Sequence, residues 1–263
     1  MKKFILILVV VIAILAIAGG GLFGFTDWFN SSYTVTPPPQ DNEMVVNPPT
    51  PLPPAPTMQP FLFNLDGTVN VANAEAILEA LDANDRETSF RLFPVIGSGA
   101  TALLSVIEWR IVDSRNNQLT MWASGNYRVS QFNDSVQDEP SYYTSLLRAN
   151  LLSDFEPILN AIPNLTNHIL PHGTTVYGIE YDLIWVPGGA QLGSGVNSWG
   201  LNNALRIATP ASVSWQRSRN FTFTSMFVVL SVGTYNNARP QTNYEGVRPA
   251  LHLDLQALRD AIS

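Results

Sequence analysis

A pair of closely spaced carboxylates is the main candidate for catalysis in this sequence. Glu180 and Asp182 are two residues apart, and on a β-strand such residues share one face. Their carboxyl groups would lie about 6–7 Å apart, within the range that glycoside hydrolases use for acid–base pairs. No neighbouring motif for holding a sugar accompanies them, and calcium binding or turn capping would use the same side chains equally well. We therefore predict no catalytic residues.

The histidines are spaced for metal binding only if they lie on a helix. His168 and His172 are four residues apart, which would place them on one helical face. Pro171 and Gly173 disfavour a helix there, so we expect two loop histidines. His252 lies in an apolar segment of alternating side chains, as an ordinary strand residue would. The sequence predicts no metal site and no cofactor.

Aromatic and amide side chains are concentrated in a loop-rich segment, residues 188–223. Such side chains commonly recognise carbohydrate or protein, and core packing explains the tryptophans equally well. The candidate ligand contacts are Trp199, Asn202, Trp215 and Asn220.

Two arginines late in the chain are candidates for a structural role. A buried guanidinium must satisfy up to five N–H donors. We hypothesise that Arg217 or Arg248 organises strand ends by donating to backbone carbonyls or to a carboxylate such as Asp182. The alternative is that both arginines are exposed.

The composition excludes several classes of chemistry. There are 263 residues and no cysteine, which excludes disulfides, cysteine-ligated metals and thiol nucleophiles. Both lysines stand at positions 2 and 3, so a lysine Schiff base or a P-loop lysine is excluded from the rest of the chain. Twelve arginines face 21 acidic residues beyond residue 26, a balance that argues against a nucleic-acid partner.

The N-terminus predicts an extracytoplasmic location. Residues 4–25 carry no charged or hydrogen-bonding side chain, and a helix of that length spans about 33 Å, enough to cross a bilayer. The segment is either an uncleaved membrane anchor or a signal peptide cleaved near Ala18. Lys2 and Lys3 would stay in the cytoplasm, so the rest of the chain lies outside the cell under both interpretations.

A stalk and a single domain are predicted to follow. Residues 1–29 form the signal anchor or signal peptide, residues 30–60 a proline-rich stalk, and residues 61–263 one domain. Residues 37–60 contain ten of the nineteen prolines, which favours extended polyproline II structure.

The domain alternates helical and strand patterns. We predict a helix over residues 74–83 capped by Asn73, and a helix over 145–162 that breaks at Pro157. A hairpin is expected from strands 103–112 and 118–123, and a last short helix over 256–262. Further short strands are predicted at 90–93, 184–186, 212–215, 226–232 and 250–253. Helices among antiparallel hairpins indicate an α+β fold.

An ordered series of motifs carries a resemblance to a known family. The series is IEWRIV (107–112), LTMWA (119–123), YTSLLR (143–148), YDLIWVP (181–187), WQRS (215–218), VG (232–233) and GVRPALHLD (246–254). It resembles a bacterial family of unknown function, often secreted or surface-attached, over about residues 103–254. That family is distantly similar to the Fibrobacter succinogenes major paralogous domain. The latter in turn resembles the C-type lectin-like fold of formylglycine-generating enzymes. The motif residues of interest are Trp109, Arg148, Asp182, Arg217, Ser218, Gly246, Arg248 and Pro249.

The resemblance implies a scaffold and a location without an inherited reaction. It implies a C-type lectin-like mixed domain of short antiparallel strands with a few helices. Gly188 and Gln216 depart from the family pattern, in which serine and leucine are usual. The calcium and sugar motifs of true C-type lectins are absent from the sequence, and so are the catalytic cysteines of formylglycine-generating enzymes.

We predict from these features a membrane-tethered extracellular binding module without catalysis. Its partners would be the membrane, through residues 4–25, and a surface glycan or protein. One alternative is a structural subunit of a surface layer or filament, and another is a glycan-acting hydrolase.

Overall fold

The computed structural model describes residues 61–138, 140–173, 182–193, 198–219, 225–235 and 237–263. All of them belong to one compact unit, Pro56–Ser263. The predicted hydrophobic segment and the proline-rich stalk lie outside the described residues. Within the described ranges, no helix has the length and apolar character needed to span a bilayer.

Several of the helices begin at residues whose side chains cap them. Asn70 accepts a hydrogen bond from the backbone N–H of Asn73, and Ser145 accepts one from that of Arg148; both contacts satisfy backbone donors of a first helical turn. The helices are α1 (Val71–Asp82), α2 (Gly99–Val106), α3 (Leu146–Ala161), α4 (Gly189–Leu192), α5 (Asn203–Arg206) and α6 (Leu255–Asp260), with 3-10 turns at Tyr142–Thr144 and Leu165–Asn167.

The first sheet places residues 118–123 and 250–254 side by side. In the described residues it has five strands: β1 (Ser89–Arg91), β2 (Glu108–Arg115), β3 (Gln118–Ala123), β10 (Ala250–Asp254) and β5 (Ile169–Leu170), in that spatial order. All its pairings are antiparallel, and Thr120 on β3 lies opposite His252 on β10. Two isolated bridges, His172 with Asp182 and Trp185 with Ala250, attach a further segment of chain next to β10.

The second sheet is mixed. Its strands within the described ranges are β4 (Arg128–Ser130), β9 (Glu245–Val247), β6 (Ser214–Arg219), β7 (Ser225–Val229) and β8 (Asn237–Pro240), in that spatial order. β6 pairs with β9 in parallel, whereas the other pairings are antiparallel. Because β9 leads directly into β10, residues 248 and 249 connect the two sheets.

Aromatic rings form the centre of the core. Phe93 stacks on Phe63 and makes edge contacts with Trp109 and Phe155, and all four rings are buried. Such tilted and offset contacts add to the free energy gained by burying the rings. The core therefore joins the segment before α1, the first sheet and α3.

The structure confirms the mixed α+β class and corrects several predicted elements. Residues 103–106 belong to α2, so the hairpin begins at residue 108. Its strands extend to a tight turn at Asn116 and Asn117, whose positive φ angles of 51° and 61° suit a two-residue hairpin turn. The cap of α1 is Asn70 and not Asn73. α3 continues through Pro157 without the predicted break.

Candidate functional site

A polar cleft of about 490 Å³ opens beside the two central strands of the first sheet. Two tryptophan rings and several hydrogen-bonding side chains line it. The lining consists of Thr120, His172, Trp185, Gln191, Trp199, Arg217 and His252, together with Asp113, Arg115, Asn116, Gln118, Pro171 and Gly173.

A second depression of about 510 Å³ runs along α1. Its lining is dominated by small side chains, including Ala72, Ala76 and Ala80. The carboxylate of Asp85, also in this lining, accepts hydrogen bonds from its own loop at Thr88. Because the polar cleft brings together charged, aromatic and amide groups, we place the candidate site there.

Four of the cleft side chains form a continuous hydrogen-bond chain. Nη1 of Arg217 lies 2.6 Å from Nε2 of His172. Nδ1 of His172 lies 2.9 Å from Nε2 of His252, and Nδ1 of His252 lies 2.9 Å from Oγ1 of Thr120. Strand register supplies the last contact, since Thr120 and His252 face each other across β3 and β10.

The arginine fixes the direction of this chain. A guanidinium only donates and stays protonated, so Nε2 of His172 must accept. In a neutral His172 the proton is then on Nδ1 and is donated to His252. His252 in turn carries its proton on Nδ1 and donates it to Thr120. The hydroxyl proton of Thr120 is thereby left for a group other than His252.

Both histidines are neutral near pH 7. Burial, and then the positive charges of Arg217 and His252, lower the pKa of His172 to about 2. Burial, followed by the charge of Arg217, lowers the pKa of His252 to about 4. Since both pKa values lie below that of an ordinary histidine, near 6.5, the neutral forms needed for the hydrogen-bond chain predominate.

The indole of Trp185 supports the chain from one side. His172 stacks on it with ring centroids 3.7 Å apart and planes 13° apart, and the guanidinium carbon of Arg217 lies 5.0 Å from its centroid. This geometry permits a cation–π attraction. Nε1 of Trp185 is buried and has no hydrogen-bond partner among the described residues.

Trp199 closes another side of the cleft. Its ring lies 5.9 Å from that of Trp185 and 5.7 Å from that of Trp122. Arg86 donates to the backbone carbonyl of Trp199, and Arg115 donates to that of Ser198. Arg115 on β2 and Arg86, between α1 and β1, therefore hold this loop in place.

A buried ion pair anchors the segment that carries Trp185. Nε and Nη2 of Arg148 on α3 donate to Asp182 at 2.9 and 2.7 Å, and Nη1 of Arg148 donates to the carbonyl of Tyr143. The side chains of Arg148 and Asp182 are only 12% and 5% exposed. The carboxylate that we expected to pair with Arg217 or Arg248 is thus engaged by Arg148.

Arg248 connects the two sheets through backbone contacts. It donates to the carbonyls of Ala123, Arg206 and Leu205, and its guanidinium carbon lies 3.5 Å from the ring centroid of Trp122. The side chain is buried, and burial lowers its pKa well below the ordinary value. These are the carbonyl contacts hypothesised from the sequence for one of the two arginines.

The predicted ligand contacts are dispersed. Trp199 lines the polar cleft. Trp215 is buried, packs on Phe132 and donates to the carbonyl of Ser130, and its ring does not line the polar cleft. Asn202 caps α5 by accepting from the N–H of Leu205. Asn220, like Glu180 of the proposed carboxylate pair, lies outside the described residues.

The remaining motif residues make structural contacts. Trp109 is buried in the core, Ser218 accepts a hydrogen bond from the N–H of Gly189, and the carbonyl of Pro249 accepts one from the N–H of Ala123. Gly246 pairs with Ser214 between the parallel strands of the second sheet.

Sequence reasoning did not identify the role of Thr120, His172, Trp185 and His252. Thr120 and His252 are polar residues within apolar strands, which was the available signal. Their contact depends on strand register, and that of His172 depends on a loop bridge to Asp182. Neither the strand register nor the loop bridge can be predicted from a single sequence.

The described residues contain no group of three or more histidine, cysteine, aspartate or glutamate side chains placed to hold a metal ion.

Comparison with known proteins returns no match to this chain among protein-family models, curated proteins or solved structures.

Proposed function

We propose that this chain is a membrane-tethered extracellular binding module that holds a glycan in the polar cleft. The observation that carries the proposal is the convergence of Trp185, Trp199, Arg217 and Thr120 on one cavity. Trp185 and Trp199 form apolar walls of the cleft although only 1% and 4% of these residues is exposed, and the polar groups offer hydrogen bonds to the hydroxyls of a sugar.

The order of the hydrogen-bond chain supports binding without catalysis. A threonine nucleophile needs a base that accepts its proton. Here His252 donates to Thr120, because the hydrogen-bond chain begins at Arg217, which is permanently charged. The carboxylate of Asp182 receives its hydrogen bonds from Arg148, which favours a positioning role over acid–base chemistry.

The sequence supplies the proposed location and the finer fold. Residues 4–25 would anchor the chain in the cell membrane with residues 61–263 outside, or the chain would be secreted after cleavage near Ala18. A C-type lectin-like arrangement is proposed from the order of the motifs. In it, the loops that precede β6 would form the ligand-binding region.

A glycan array probed with the full-length chain in detergent tests the proposal. We expect binding to a defined set of glycans and loss of that binding in Trp199→Leu. Tyr244→Leu is a matched control, because Tyr244 is 69% exposed and does not line the cleft. Circular dichroism establishes that each variant is folded.

Two outcomes contradict the proposal. One is a folded protein that binds no glycan and self-assembles, which would favour a layer or filament subunit. The other is glycan binding that survives Trp199→Leu unchanged, which would place the ligand outside the polar cleft. Release of sugar from any bound glycan would contradict the absence of catalysis.

A further inference from the structure

The polar cleft contains a guanidinium, that of Arg217, with hydrogen-bond donors left for a ligand. The guanidinium of Arg217 has five N–H groups, and within the described residues its only side-chain hydrogen bond is the one to His172. Asp182 is near enough to attract Arg217 electrostatically. Its two oxygens, however, already accept three hydrogen bonds from Arg148. Arg217 is therefore a cation that lacks a carboxylate hydrogen-bond partner in the described structure.

Arg217 is also held in place before any ligand arrives. Nη1 is fixed by His172, and the guanidinium plane is supported by the ring of Trp185. A prearranged guanidinium loses less conformational entropy on binding than a free one. Its remaining N–H groups form a planar fork that matches a carboxylate.

Two further side chains add donors. Oε1 of Gln191 accepts from the N–H of Gly188 at 3.0 Å, which leaves its amide N–H groups for another partner. Thr120 accepts from His252 and so has its own hydroxyl proton to donate. Both side chains line the polar cleft, and a ligand rich in acceptors would use them.

The acidic side chain in the lining does not meet this need. Asp113 is bound to Nε of Arg115 at 3.0 Å. The pair is internally neutralised, and Arg217 keeps a net positive charge in the cleft. One such charge matches a single carboxylate better than a doubly charged phosphate.

We propose that the ligand is an acidic sugar, a uronic acid residue of a glycan, whose carboxylate pairs with Arg217. This inference rests on the proposed glycan-binding function and names the class of glycan. The carboxylate meets the guanidinium fork, the ring and hydroxyl oxygens accept from Thr120 and Gln191, and the sugar face lies toward the cleft wall that Trp199 forms.

Calorimetric titration of the full-length chain in detergent tests the inference. The probes are oligomers of galacturonate and glucuronate, their neutral galactose and glucose counterparts, and glucose 6-phosphate. We expect uronate oligomers to bind at least about tenfold tighter than the neutral ones, because one charge-assisted bidentate contact is gained. Their affinity should also fall with rising salt concentration.

Substitutions at Arg217 test whether its guanidinium causes the preference for uronate over neutral oligomers. Arg217→Gln should abolish the preference for uronate, and Arg217→Lys should retain only part of it because an ammonium cannot form the bidentate contact. Arg259→Gln, which removes an exposed cation from α6, should leave it unchanged. If Arg217→Gln fails to fold, as judged by thermal unfolding, Thr120→Val provides a second test and should weaken uronate binding.

The outcomes separate this inference from the proposed function. Equal affinity for uronate and neutral oligomers, both lost in Trp199→Leu, would overturn the acidic-sugar inference and leave glycan binding intact. Tighter binding of glucose 6-phosphate than of uronate would also overturn it. No binding to any sugar would contradict the proposed function itself.

Discussion

Nη1 of Arg217 lies 2.6 Å from Nε2 of His172, and this contact determines where the protons lie along four side chains. Because the guanidinium can only donate, each imidazole in turn accepts on Nε2 and donates from Nδ1. The hydroxyl proton of Thr120 remains for a ligand. A protonated His172 could not accept from Arg217, so the chain requires neutral imidazoles.

Stability should fall as the solution is acidified below neutral pH. The folded-state pKa values of His172 and His252 are about 2 and about 4, whereas both are near 6.5 in an unfolded chain. Between these values the unfolded state binds more protons, so the free energy of unfolding decreases as pH decreases. From pH 7 to pH 5 the two histidines should together remove about 4 kcal/mol. Urea unfolding at both pH values measures this loss.

A histidine variant separates this effect from other titrations. His252→Gln should show roughly half the loss between pH 7 and pH 5, because one of the two perturbed groups is gone. His168 also has a pKa lowered by burial, but it is not part of the hydrogen-bond chain. His168→Gln should therefore retain most of the loss of stability between pH 7 and pH 5. Equal stability of the unsubstituted protein at the two pH values would show that the histidines are not held neutral.

The sequence predicted the classes of element better than the contacts of the site. Alternation and helical spacing indicated most strands and the start of α3 next to Ser145, because these signals are local, whereas the cap predicted at Asn73 was wrong and lies at Asn70. The cleft depends on pairings between residues far apart, such as Thr120 with His252 across 132 positions. Trp199 and Trp215 have the same side chain and similar surroundings in sequence. Only the packed structure shows that both are buried and that Trp199, unlike Trp215, lines the cleft.

Breaking the buried ion pair should strongly destabilise the protein. Asp182→Asn leaves Arg148 buried without its carboxylate, and the expected loss is about 3–5 kcal/mol in the free energy of unfolding. Combining it with Arg148→Met should recover part of that loss, since the uncompensated charge is then removed. Asp113→Asn is the control, because its partner Arg115 is 41% exposed and the expected loss is under about 1 kcal/mol. Urea unfolding of Asp182→Asn, Arg148→Met, the double variant and Asp113→Asn completes the comparison, and additive losses for the first two would contradict a direct coupling.

The shape of the guanidinium at position 248 should contribute more to the stability of the fold than its charge does. Arg248→Lys keeps a cation but cannot reach the carbonyls of Ala123, Arg206 and Leu205 together while covering Trp122. Buried carbonyls would lose their donors, and we expect a loss of about 3 kcal/mol. Arg259→Lys on the exposed face of α6 should change stability by less than about 0.5 kcal/mol. Thermal unfolding measures both, and an unchanged midpoint for Arg248→Lys would show that Arg248 does not connect the sheets.

Arg148 and Arg248 also mark a limit of sequence reasoning. Low overall charge and an excess of acids indicate that some arginines are structural, but they do not say which carboxylate each one meets. Asp182 meets Arg148 because α3 packs beside the segment that follows His172. That arrangement follows from the tertiary fold and from no pattern within either segment.

The second sheet should require a glycine at position 246. A Cβ on Gly246 would lie 1.9 Å from Nδ2 of Asn126 and 2.6 Å from the carbonyl oxygen of Val213. The Asn126 side chain cannot simply move aside, because it bonds Ser212, Val213 and Ser214 where β6 meets β9. Gly246→Ala should therefore cost about 3 kcal/mol or more by overpacking and loss of these hydrogen bonds. Gly200→Ala is the control for backbone strain alone, since its φ of +65° is unfavourable but its Cβ would meet nothing within 4 Å; we expect about 1 kcal/mol there. If thermal unfolding finds the two variants equally stable, the close approach of β6 and β9 at Gly246 does not limit stability.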